Sequence, residues 1–220
     1  MTATLRFAGP GEAADLAAFL ARLIHYDRAA AVRLQAGGGA LAVFGRPPSF
    51  EVLAIRTARL DEPVALDATV SAGELLESLD ETAGTVTVPA AVTGPPWAGV
   101  LPPRGGWQEI PGLPGPDKLR AAVSAAVAEF RARDEELPAE RRTRAERDRI
   151  GREIWSRTLG DTDLPLRAVH AAQSLGFLRP VPEETPPALF SAGPWLRLRT
   201  AYGSIALRRA GLGSLPVSPV

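Results

Sequence analysis

The chain has 220 residues, 45% of them hydrophobic and 23% charged, and its 25 basic and 25 acidic side chains leave a formal net charge of zero. That composition is globular, enough for one large domain or two small ones, and it carries no bulk electrostatic attraction toward nucleic acid or anionic lipid. The lack of cysteine excludes disulfides, thiolate catalysis and cysteine-ligated zinc or iron–sulfur sites.

No apolar signal region opens the chain, because Arg6 is followed by Gly-Pro-Gly and then by Glu12 and Asp15. No run approaches the roughly 20 apolar residues of a membrane span. The expectation is a cytoplasmic protein with no membrane partner. Residues 1–92 hold seven arginines against eleven acids, whereas 117–220 hold sixteen arginines and one lysine against thirteen acids. Arginine is used almost to the exclusion of lysine and alanine is abundant, which has the look of high-GC bacterial coding.

Thr4 to Ala8 alternates as a short strand, and Leu16, Phe19, Leu20, Leu23 and Ile24 recur at helical spacing, giving one apolar helix face. Val32–Gln35 and Ala40–Phe44 alternate on either side of Gly37-Gly38-Gly39, the pattern of an antiparallel hairpin whose turn needs positive φ. Phe50–Ala58 reads as a central strand covered on both faces, and Val64–Val70 continues the sheet. Ser71-Ala-Gly-Glu74 is a capping box that opens a short helix through Leu79, and Thr85–Val88 is a last strand. Residues 1–92 are thus expected to form an α+β antiparallel-sheet domain with two helices.

Between Thr93 and Pro116 stand seven prolines and six glycines, together with Trp97 and Trp107. Regular structure is not expected in residues 93–116, which are taken as a linker and hinge between two independently folded bodies. Residues 117–210 then read as a helical domain with a C-terminal hairpin, and 211–220 as a frayed tail. Its first helix starts at Asp117, buries Leu119, Val123, Val127 and Phe130, and stops before Pro138. A second runs from Ala139 to Leu159, with arginines all round and i,i+4 pairs of Glu140 with Arg144, Asp148 with Arg152 and Glu153 with Arg157. A third is LPLRAVHAAQSLGFL, capped by Asp163 and closed by a left-handed Gly176 that folds Phe177 back. After a proline-rich loop, Trp195–Arg208 alternates as another hairpin; its LRLRTAYGSIAL aligns without gaps on VRLQAGGGALAV at 32–43. Either a duplicated helix–hairpin unit or the common pattern of glycine-turn hairpins accounts for that match.

The motifs for chemistry are sparse. Gly9-Pro-Gly11-Glu-Ala-Ala14 has the form G-x-G-x-x-A, but a hairpin follows in place of a parallel crossover and no acid ends the next strand, so it reads as a helix-entry turn. There is no phosphate-binding Walker loop, nucleophile elbow or H-E-x-x-H pair. With His25 and His170 alone, a multi-histidine metal site within one chain is excluded. His25 reads as a helix-end histidine and His170 as a half-buried core histidine beside Leu166, Val169 and Phe177. For acid–base work the sequence offers His25-Tyr26-Asp27, where a carboxylate can orient the imidazole, and an enzyme's pocket is expected near His25, Tyr26 and Glu51. No catalytic residue, metal ligand or cofactor is assigned.

Trp97 and Trp107 have two readings: they clamp a stiff linker onto the chain's own halves, or they anchor a partner, and partner binding is the site assignment they carry. Element order over Arg141–Arg208 resembles a winged helix-turn-helix, in a generic way that rests on no family motif. That resemblance implies nucleic-acid contacts from Arg167 and Ser174 on the third helix, whose outer face otherwise offers Ala168, Ala171 and Ala172. It adds Arg197, Arg199 and Arg208 on the hairpin face opposite Leu198 and Leu207. The expectation is therefore a non-enzymatic bacterial protein of fold class α+β that acts on another protein or on itself, as an adaptor or regulatory module. A winged-helix-like DNA-binding protein is the first alternative and an enzyme of unrecognised type the second.

Overall fold

The computed structural model describes residues 3–180 and 185–209, as a mixed α+β protein with antiparallel sheets and five α-helices. The frayed tail expected at 211–220 and part of the proline-rich loop lie outside the described residues. In chain order the elements are β1 (Thr4–Arg6), α1 (Glu12–Tyr26), β2 (Ala31–Gly37), β3 (Ala40–Gly45), β4 (Leu53–Arg59), β5 (Leu66–Ser71), α2 (Ala72–Glu77), β6 (Leu79–Asp80) and β7 (Thr85–Thr87). There follow β8 (Gln108–Ile110), α3 (Pro116–Glu135), α4 (Arg144–Trp155), α5 (Leu166–Ser174), β9 (Ala188–Ala192), β10 (Trp195–Thr200) and β11 (Gly203–Arg208).

The alternating segments pair into an eight-stranded sheet of order β5-β2-β3-β4-β11-β10-β9-β8, while β1, β7 and β6 form a separate three-stranded sheet. The decisive pairing is β4 with β11, where Ile55 faces Ser204 and Leu53 faces Ala206. Strands from both halves of the chain are thereby bonded into one sheet. The expected hinge between independently folded bodies is corrected on this point, because β4 spends its free backbone edge on a strand more than a hundred residues away. Both hairpins place their second strand against β4.

One face of the sheet carries the helices. Leu16, Phe19, Leu20 and Leu23 of α1 are buried against Val32, Leu34, Leu41, Val43 and Ala54, as their spacing requires. Burying each of those α1 side chains contributes about 2 kcal/mol. Leu196, Leu198, Ile205 and Leu207 extend the same core beneath α5. Gly176 does adopt positive φ (77°), and the Phe177 amide donates to the Ala172 carbonyl at 2.7 Å, turning the ring inward to stack on Phe19.

Three local expectations are revised. The second helix is interrupted: Ala139–Arg141 is a single 3-10 turn, and α4 begins only at Arg144, where the Thr143 hydroxyl accepts from the Glu146 amide. Glu140 and Arg144 therefore share no helix face; Arg144 meets Asp148 instead, while Glu153 does meet Arg157. Asp163 makes no cap on α5, whose N-cap is Pro165. Ion pairs tie α4 and the turn after it to α3: Arg133 holds Glu153 through two bonds of 2.8 Å, Arg147 meets Asp134 at 2.7 Å, and Arg157, just past the helix end, grips Glu129.

A buried ion cluster fastens the halves. Arg56 of β4, only 6% exposed, donates to Asp15 of α1 at 3.0 Å and to the Tyr202 carbonyl of the β10–β11 turn at 2.7 Å. Arg179 also donates to Asp15 and stacks over the Tyr202 ring, 3.5 Å from its centroid.

Candidate functional site

Alternation along the strands gives the sheet a second, outer face, away from the helices. Phe44, Leu53, Ile55, Trp195 and Ala206 form a small apolar cluster there. The proline-rich segment covers it as a strap. The Val92 amide donates to Thr69 at the β5 edge, the Ala98 carbonyl accepts from Arg33, and Trp97, Leu101 and Trp107 pack on the cluster. The chain then enters the opposite edge as β8, pairing with β9. A proline-rich segment has few free amides with which to form a ladder, so it crosses the sheet by side-chain anchorage.

Register puts Arg197, Arg199 and Arg208 on this outer face, since Leu198 and Leu207 point into the core. Each guanidinium lies over an aromatic ring: Arg197 over Trp107 at 5.7 Å, Arg199 over Phe190 at 4.6 Å and Arg208 over Trp195 at 5.2 Å. None of the three has an ion pair among the described residues, in contrast with Arg144, Arg147 and Arg149 of α4. Arg197 is half-buried, its Nε is shielded from solvent and without an acceptor, and burial together with the neighbouring Arg199 pulls its guanidinium below the ordinary range. Beside it a groove of about 500 Å³ runs between strap and sheet, floored by Ala40, Ala42 and Thr57 and flanked by Pro103, Arg104 and Arg197.

A second concavity, of about 690 Å³, lies on the helical side where the β3–β4 loop meets α3, α4 and α5. His170 stacks on Trp155 (4.3 Å between centroids) and meets Phe50 edge-on (5.1 Å), and Phe50 meets Tyr26 in the same way (5.5 Å). Burial holds the His170 imidazole below its ordinary pKa, favouring the neutral ring. Of the three residues expected near an enzyme's pocket, Glu51 lines this cleft, whereas His25 and Tyr26 border a separate, shallow depression with Arg22 and Ser174. They do not converge.

The nucleic-acid candidates fall into two groups on opposite sides of the sheet. Arg167 sits in the helical-side cleft, 3.7 Å from Glu51, and Ser174 borders the shallow depression. Arg197, Arg199 and Arg208 are on the outer face. The alanines expected on the outside of the third helix are not there: Ala168, Ala171 and Ala172 are each fully buried, packed toward the sheet and the neighbouring helices. Trp97 and Trp107 both lie half-buried against the chain's own sheet. Sequence reasoning passed over Arg104, Phe50, Phe130, Gly151 and Trp155. A glycine in mid-helix with a tryptophan at i+4 was the one available signal for the last two.

Residues 1–99 match the family model described as Domain of unknown function (DUF8010), and residues 102–212 match Domain of unknown function (DUF8185). The second model covers just over half of the chain, which belongs to that family. The two matches meet within the strap. No curated protein matches the chain.

Proposed function

We propose that this protein is a non-enzymatic interaction module, which holds an acidic segment of another protein in the groove between the strap and the outer face of its sheet. The observation that carries this reading is Arg197: a half-buried guanidinium whose shielded Nε is unbonded and which has no carboxylate partner among the described residues, at the side of an open groove. A desolvated cation without a partner is costly, and a carboxylate brought by a ligand removes that cost while making a charge-assisted bond. Arg104, Arg199 and Arg208 extend the positive surface, and Ala40 and Ala42 of the sheet with Pro102 and Pro103 of the strap give the groove its apolar lining. Trp97 and Trp107 act here by holding the strap that forms one wall of the groove.

The test is fluorescence anisotropy with a labelled glutamate-rich peptide carrying two phenylalanines, against its lysine counterpart and a random DNA duplex. The module should bind the acidic peptide with an affinity that falls as salt rises, and Arg197→Gln with Arg199→Gln should weaken it about tenfold or more. Binding of none of the three probes, or preference for the lysine peptide, overturns the proposal.

A winged-helix DNA binder draws support from the order of α3, α4, α5 and the β10–β11 hairpin, and from the arginines of that hairpin. It is the weaker reading. With its alanines buried α5 has little free surface to lay in a groove, and Arg167 lies across the sheet from Arg197. Preference for the duplex over the acidic peptide would reverse this order.

A further inference from the structure

We infer that the cleft between the β3–β4 loop and helices α3, α4 and α5 is a binding site for a small planar aromatic acid, with the ring between Phe130 and Trp155 and the carboxylate on Arg167 and Arg152. Four aromatic rings line it, Phe50, Phe130, Trp155 and His170, and its volume of about 690 Å³ lies within the ordinary range of small-molecule sites. His170 already stacks on one face of Trp155. Space at the ring edges is kept by Gly151: a Cβ there would stand 3.6 Å from the Trp155 ring and 3.7 Å from Phe130. Glycine in mid-helix destabilises by about 1 kcal/mol relative to alanine, and alanine would fit here at ordinary contact distance. Stability alone therefore does not explain the residue, whereas an open slot between two rings does.

Charge and strain point the same way. The buried Nε of Arg167 has no acceptor among the described residues, Glu51 Oε2 standing 3.7 Å away, past hydrogen-bond length. Arg152 has no ion pair among the described residues, whereas Arg147 is already engaged by Asp134. The Glu51 side chain is 75% exposed and can swing aside for an incoming carboxylate. The lip of the cleft is strained: Ser49 and Glu51 have φ of 70° and 53°, left-handed values that cost a non-glycine residue about 1 kcal/mol or more. Strain of this kind persists where the surroundings hold it, and this lip places Phe50 and Glu51 at the mouth.

The probe is 1-naphthoate, with 1-naphthamide as its neutral analogue, each titrated into the full chain and followed by calorimetry and by the indole N–H resonances. 1-Naphthoate should bind, perturb the Trp155 indole signal, assigned with Trp155→Phe, and leave those of Trp97, Trp107 and Trp195 in place. The amide should bind about tenfold more weakly, and Arg167→Gln should bring the acid to the level of the amide. Gly151→Ala, which keeps the helix intact, should weaken both. Absence of naphthoate binding at millimolar concentration, equal affinity for acid and amide, or full affinity in Gly151→Ala with Arg167→Gln overturns the inference.

Discussion

Replacing Arg56 by methionine tests how firmly the two halves are joined. The guanidinium is 7% exposed and makes three interactions: Asp15 at 3.0 Å, Glu12 at 3.5 Å and the Tyr202 carbonyl at 2.7 Å. Methionine refills most of the volume, so the loss is polar. A part-buried carbonyl left without its donor costs about 1 kcal/mol, and a charge-assisted bond to Asp15 about 1.5 kcal/mol or somewhat more. The full 3 to 5 kcal/mol of a broken buried pair is not reached, because Asp15 is 26% exposed and keeps Arg179. The expected loss is about 2 to 3 kcal/mol, which at a urea slope of roughly 3 kcal/mol per molar is a midpoint shift of about 0.7 to 1 M. Arg59→Met is the control. Arg59 is 75% exposed in its pair with Glu12, so its loss should stay under about 0.5 kcal/mol. Unfolding is expected as one cooperative transition in all three proteins, because β4 and β11 share a ladder. Equal losses in the two variants, or a transition that splits in two, would show that Arg56 does not join the halves.

Gly203→Ala should destabilise by about 2 kcal/mol, since the added carbon would sit 2.6 to 2.8 Å from three atoms of the buried Phe177 ring; a change under about 0.5 kcal/mol in urea unfolding would show that the ring can yield. Lowered by burial, His170 stays neutral in the folded chain after the unfolded chain has taken its proton, so stability falls as pH drops through 6.5 toward the folded value. His170→Phe should flatten that part of the pH–stability curve, and an unchanged curve would count against it. Trp107→Ala removes the ring that Arg197 covers and should speed proteolysis within 100–107 while costing roughly 1 kcal/mol of global stability, less than a fully buried ring would; cleavage at the wild-type rate would mean that the strap is held by other contacts.

Much of the fold was legible because it is written in local periodicity. The apolar spacing of α1, the glycine turn between β2 and β3, the Ser71 cap, with the hydroxyl accepting from the Glu74 amide, and the Gly176 stop are each satisfied within a few residues of the signal. The burial of Leu53 and Ile55 on one face and Ala54 on the other was likewise readable from an unbroken apolar run. Partner strands were not. Nothing near Leu53 names Ala206 as its neighbour, and a stretch rich in proline and glycine looks the same whether it links two bodies or straps one sheet. The extension of the β10–β11 hairpin by β9 was hidden for a similar reason, the alternation of that strand being short and set among prolines. Face assignment on α5 failed where alanine was read as surface: a small side chain is what lets a helix approach a sheet closely, and Ala168, Ala171 and Ala172 do that. Arg197, Arg199 and Arg208 were placed on one strand face because strand parity is a strict rule. The cleft of Trp155, His170 and Phe50 was missed because its rings come from three segments far apart in the chain.

Four tryptophans divide the molecule into reporters: Trp97, Trp107 and Trp195 belong to the outer face and Trp155 to the helical side. The most direct measurement is the indole N–H spectrum during titration with the glutamate-rich peptide. Outer-face docking predicts that the Trp107 and Trp195 signals move together, that Trp155 stays in place, and that Arg197→Gln with Arg199→Gln abolishes the movement. Movement of Trp155 alone, or an identical response in the double variant, would contradict it.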